Sequence, residues 1–162
     1  MKKQKSIGNK GFSLVELIIV IAIMAILVGV MAPQLLRYVE RTRISADTQV
    51  ADSVKTAITT AMLDPAVIGA DTPGIPATLP ATLNLATAAD FTGAFGDAVA
   101  ATLGYASVAD MTNATTGIVS ELQSNGATGI TAAIDATGNR VTVTILGSHA
   151  DGTNTGDPIV VE

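Results

Sequence analysis

The run Phe12 to Leu36, FSLVELIIVIAIMAILVGVMAPQLL, carries one ionisable residue, Glu16, near its start. Its twenty-five residues at about 1.5 Å each make a helix of roughly 38 Å, enough to cross a hydrocarbon core of about 30 Å with some tilt. A backbone in lipid must satisfy its own hydrogen bonds, so a single apolar segment there has only the helix open to it. The carboxylate is the exception to be explained. An ionised side chain in the apolar region costs at least about 2.5 kcal/mol and normally has a partner. Nothing within the helix offers Glu16 one, so a partner is expected from outside it.

Beyond Leu36 the pattern turns from all-apolar to amphipathic. Val50, Val54, Ala57, Ile58, Ala61 and Met62 recur at spacings of three and four, with Asp52, Lys55, Thr56 and Thr59 on the opposite side and Asp52 and Lys55 placed as an i,i+3 pair. This predicts one helix from about residue 12 to residue 62, roughly 75 Å long. Its second half can be covered by a domain folded against it. Its first half is apolar all round and must meet lipid or other chains.

Within that helix, Pro33 has no N–H for the carbonyl of Gly29, which weakens the turn by about 3 kcal/mol, and Gly29 adds about 1 kcal/mol relative to Ala. Gly29 to Pro33 is therefore the expected weak point, read from the residues alone as a plain kink. Asp64-Pro65 ends the helix, and Leu63 to Leu85, with Pro73, Pro76 and Pro80, reads as loop. A short helix is expected from about Ala88 to Leu103, burying Phe91, Ala94, Phe95, Ala98, Val99 and Leu103 and stopped by Gly104. Gly93 and Gly96 argue against it. Another helical turn is expected in Thr116 to Ser124, closed by Asn125-Gly126. The tail then alternates: Ile130, Ala132 and Ile134, a turn over Asp135 to Asn139, and Val141, Val143 and Ile145 make a hairpin, to which Ile159 to Val161 can add a third strand. The fold class is α+β: one long helix packed at its C-terminal half against a small antiparallel sheet with one or two short helices.

Lys10-Gly11-Phe12-Ser13-Leu14-Val15-Glu16, KGFSLVE, resembles the processing site of type IV pilins and their pseudopilin relatives. The resemblance implies cleavage by a prepilin peptidase after Gly11, N-methylation of Phe12, and an assembly role for Glu16 and for Gly29 with Pro33. It implies a pilin-like division into a leader (1–11), a membrane and assembly half of the helix (12–36), an amphipathic half (37–62) and a globular head (63–162). The preceding segment fits a leader: Lys2, Lys3, Lys5 and Lys10 with no acid form a flank expected to stay cytoplasmic, and no A-x-A break follows the apolar run as a secretory signal would require. An uncleaved signal anchor is the alternative. Arg37, Arg41 and Arg43, offset by Glu40, flank the other end and weaken the orientation argument from charge alone. The implied location is the cytoplasmic membrane, as a single-pass protein with its head outside, and then an extracellular pilus.

Composition limits the chemistry. Cysteine is absent, so no disulfide staples the head, a departure from many Gram-negative pilins. From Leu63 onward the acids Asp64, Asp71, Asp90, Asp97, Asp110, Glu121, Asp135, Asp151, Asp157 and Glu162 stand against Arg140 alone. Nucleic-acid binding needs clustered Lys and Arg, so this head should repel it. Ser148 and His149 are adjacent and point to opposite faces of an extended segment, and no third triad member is evident, so no catalytic residue is assigned and no enzyme is expected. Asp151 and Asp157, in a loop rich in carbonyls, are the weak candidates for a calcium ion, as in some pseudopilins. They lack the spacing of an EF-hand loop, and no other cofactor is expected.

Two function classes follow. One is a structural subunit of a type IV pilus supporting adhesion or motility, a homo-oligomer in a helical filament whose other partners are the prepilin peptidase, the membrane before assembly and the pilus assembly platform. A pseudopilin of a type II secretion or competence system shares the same N-terminal features. The other class is a membrane-tethered binding protein that never polymerises.

Overall fold

In the computed structural model the described residues are 11–68, 82–135, 140–147 and 158–162. The chain divides into two units, Met1–Arg37 and Tyr38–Glu162. Helix α1, Leu14–Leu63, passes through both. In the first unit every described side chain is exposed, and this part of α1 is long and apolar enough to cross a membrane.

In the second unit α1 presents Ala51, Val54, Ala57, Ile58 and Ala61 to a core that also takes in Leu83, Phe95, Val99, Met111, Ile130, Val143 and Ile145. Each larger side chain here contributes about 1.5–3 kcal/mol on leaving water. The opposite face of α1 holds poor helix formers, and the helix satisfies their hydroxyls itself. Thr42, Thr48, Ser53, Thr56 and Thr59 each donate to the carbonyl four residues back. Asp52 and Lys55 form no ion pair; among the described residues the ion pair on α1 joins Arg43 to Glu40 at 3.6 Å.

The helix ends at Leu63, where Asp64-Pro65 stops it, but the following segment is not all loop. A four-residue helix α2, Pro65–Ile68, begins at once, its turn closed by the Ala66 N–H donating to Asp64 Oδ1 at 2.8 Å. Strand β1, Thr82–Asn84, lies at the far end of the segment. The helix expected from Ala88 to Leu103 is broken in two: a 3-10 turn, Ala88–Asp90, and then α3, Gly93–Thr102. Asp90 accepts the Asn84 N–H at 2.8 Å, tying the turn back to β1 and away from a continuing helix. Phe91 and Phe95 stack with centroids 6.3 Å apart, and Ala94, expected in the core, is exposed. A further helix, α4, Val108–Met111, is capped by Ser107, whose hydroxyl accepts from the Asp110 N–H. A second 3-10 turn covers Ile118–Glu121.

Strands β2, Ala127–Ile134, β3, Val141–Gly147, and β4, Ile159–Val161, complete an antiparallel sheet in the order β1-β2-β3-β4. The expected alternation is present, with Ile130, Ala132, Val141, Val143 and Ile145 buried. The sheet has four strands because β1 adds to the β2 edge, pairing Leu83 with Ala132. The connection over 136–139 lies outside the described residues.

Gly96 argues for α3 rather than against it. A Cβ built there would lie 2.4 Å from the Phe91 carbonyl oxygen and 3.0 Å from Val108 Cγ2, so only glycine lets α3 approach the preceding turn and α4. Gly96→Ala should destabilise the head by about 1–3 kcal/mol through this overpacking. Thermal melting of the purified chain checks it, and an unchanged melting temperature would contradict the packing.

Candidate functional site

The junction of Gly11 and Phe12 lies just outside α1. Phe12 is 94% exposed, and a Cβ on Gly11 would meet nothing within 4 Å, so the fold itself imposes no need for glycine at this position. Ser13 stands at the N-cap place before Leu14. Its N–H donates to Glu16 Oε2 at 2.8 Å, and its carbonyl accepts from the Leu17 N–H at 3.2 Å. Ser13-Leu14-Val15-Glu16 is an S-x-x-E sequence, and this bond is the return half of a capping box. The expectation that nothing within the helix from about residue 12 offers Glu16 a partner is therefore corrected. A helix N-terminus carries unsatisfied N–H groups and partial positive charge, and the first-turn acid answers both. The spacing was visible in the sequence; the long apolar run drew attention to the missing cation instead.

Gly29 and Pro33 lie within α1, and the helix is continuous across them. A Cβ on Gly29 would meet nothing within 4 Å, so neither neighbouring packing nor space demands glycine in this unit. From Leu14 to Leu36 the large apolar side chains are exposed, among them Ile18, Ile19, Ile21, Met24 and Leu27. Such a surface is stable only against lipid or protein.

Two acids do the joining in the second unit: Asp47, which sequence reasoning passed over, and Glu40, read there only as an offset to the arginines. Asp47 is fully buried. Its Oδ1 accepts the Gln123 N–H at 2.7 Å, and its Oδ2 accepts the Ser124 N–H at 3.0 Å and the Ser124 hydroxyl in a short bond. Glu40, two turns earlier on α1, accepts the Asn125 N–H at 2.7 Å. Three consecutive backbone amides leading into β2 are thus held by two carboxylates on one side of the helix. The available signal was an acid at position 47 on the stripe that continues through Ala51, Val54 and Ile58.

Asp151, Asp157, Ser148 and His149 lie outside the described residues. Among the described residues, no group of three or more His, Cys, Asp or Glu side chains could hold a metal ion.

The family described as the prokaryotic N-terminal methylation motif matches residues 8–32. The chain is 41% identical over 56 residues to a type IV major fimbrial protein FimA of Dichelobacter nodosus, covering 35% of this chain and 36% of that protein. It is 45% identical over 53 residues to a fimbrial protein of Moraxella nonliquefaciens, covering 33% of this chain and 34% of that protein. The chain thus matches about a third of the length of these curated relatives. No solved structure matches it. With the methylation motif at the start of an exposed apolar helix, and an α+β unit beyond it, the N-terminal third of the chain is similar to that of type IV fimbrial proteins.

Proposed function

We propose that this chain is a structural, non-enzymatic subunit of a type IV pilus that polymerises through residues 12–36 after cleavage following Gly11 and N-methylation of Phe12. The observation that carries the reading is the exposed apolar half of α1 with Glu16 in its first turn. Before assembly lipid covers that surface, and in the filament copies of the same helix cover it. Glu16 neutralises the amino terminus of Phe12 in a neighbouring copy, so each subunit supplies the counter-charge that the next lacks. The acidic head lies outside the membrane and then on the pilus surface. The prepilin peptidase and the assembly platform are its partners in reaching that state, and adhesion or motility is the use of the finished fibre.

Electron microscopy of material sheared from cells, with mass spectrometry of the N-terminal peptide, tests this. Thin filaments built from a chain that begins at N-methylated Phe12 are expected. A chain beginning at Met1 and remaining in the membrane without filaments would overturn the proposal. Filaments confined to cells with an active secretion or DNA-uptake apparatus, and shed by no others, would favour the pseudopilin role.

A further inference from the structure

The second unit contains an open groove of about 910 Å³ between α1 and the segment around the second 3-10 turn. Its walls include Gln49, Asp52, Ser53, Thr56, Ser120 and Glu121. Its chemistry is one-sided. The hydroxyl hydrogens of Ser53, Thr56 and Ser120 are committed to the carbonyls of Gln49, Asp52 and Gly117, which leaves their lone pairs as acceptors. Asp52 is exposed and Glu121 is a carboxylate held in place by the Tyr105 hydroxyl at 2.6 Å. Burial first, then that hydrogen bond and the charge of Glu121, raise the Tyr105 pKa. With the Thr102 hydroxyl committed to the Ala98 carbonyl, the side-chain donors left on this lining among the described residues are the amides of Gln49 and Gln123.

A groove of acceptors fits a group that only donates, and guanidinium is the side chain with five N–H donors and no acceptor. Arg37 and Arg41 lie four residues apart on α1, hence on one side of it, and both are exposed. Arg43 is occupied by Glu40, whereas Arg37 and Arg41 have no ion pair among the described residues. Leu35, Leu36 and Tyr38 beside them are also exposed, giving the segment apolar surface for the aliphatic part of the groove.

The geometry points to an interface between copies: the groove beside Asp52 and Glu121 receives the Arg37–Arg41 segment of a second copy of this chain. Donor and acceptor surfaces lie at different levels of the same molecule, so the contact is head-to-tail, and such contacts generate open helical polymers when they do not close. Arg41 and Asp52 are eleven residues apart, so parallel copies need an axial offset of roughly 16 Å to bring them level.

This inference rests on the pilus-subunit reading, and the test separates the two. Filaments are sheared from cells carrying the unaltered chain, Arg41→Glu, Asp52→Lys, or both changes together, then washed in increasing salt and pelleted. Each single reversal should lower the pelleted chain roughly tenfold, the scale of one lost interfacial charge pair. The combined variant should recover most of it, and the milder Arg41→Gln and Asp52→Asn should fall between. Single reversals that pellet like the unaltered chain, or a combined variant no better than the worse single change, would reject the contact while leaving the pilus reading intact. Absence of filaments from the unaltered chain would reject both. Both side chains are exposed, and equal melting temperatures of the variants exclude loss of fold as the cause.

Discussion

Glu16→Ala should be cleaved and methylated normally and yet give almost no filaments when it is the only copy in the cell. Removing one member of a desolvated charge pair costs about 3–5 kcal/mol, because the other charge is left alone. Each tenfold in association needs about 1.4 kcal/mol, so the loss per contact is on the order of a hundredfold or more. The bond from the Ser13 N–H to Glu16 introduces a competing explanation, since Ala also removes a helix cap. Glu16→Gln distinguishes them. Glutamine can still close a capping box but carries no charge, so it should assemble as poorly as alanine. Quantifying sheared pilin by immunoblot measures both. Normal filaments from Glu16→Gln would reduce the role of the carboxylate to capping its own helix.

The second large effect concerns the head. Asp47→Ala removes the acceptor for two backbone amides and one hydroxyl at the same stroke. An unsatisfied buried donor costs about 1–3 kcal/mol, so the change should destabilise the head by roughly 3–5 kcal/mol, a large part of the about 5–15 kcal/mol typical of a folded domain. Thermal unfolding of the full chain in detergent, followed together with proteolysis near residues 123–125, reads it. A melting temperature lowered by about 10 °C or more is expected. Asp52→Ala, one and a half turns further on but exposed, should shift it little. Equal effects from the two changes would show that the clasp contributes nothing particular.

What the sequence made legible was whatever repeats. The helix over Leu14–Leu63 follows from an unbroken apolar run joined to a stripe at Val50, Val54, Ile58 and Ala61, and β2 and β3 follow from strict alternation. Elements too short to show a period stayed hidden. Helix α4 is one turn set by the Ser107 cap, and β1 is three residues after a proline-rich stretch whose strand character comes from pairing with Ala132 and its neighbours. Gly96 misled because a helix penalty can be read locally, whereas the nearby Phe91 carbonyl that requires it cannot. The Asp47 clasp was half visible: an acid on a buried stripe demands donors, but backbone amides some seventy-seven residues away carry no side-chain signature. At the candidate site, the Gly11-Phe12 junction and Glu16 stand out by their position beside the apolar run. The groove at Asp52 and Glu121 exists only once α1 and the second 3-10 turn are side by side.

The central claim is that the apolar half of α1 ends its life packed against identical helices. The absence of native cysteine makes that directly measurable, because a single cysteine introduced at Ile21 reports on one place alone. In sheared filaments Ile21→Cys should resist a water-soluble maleimide, and a short bifunctional thiol reagent able to enter apolar regions should convert it to a ladder of crosslinked chains on a reducing gel. Full labelling by the maleimide, with the chain running only as monomer after crosslinking, would contradict the account.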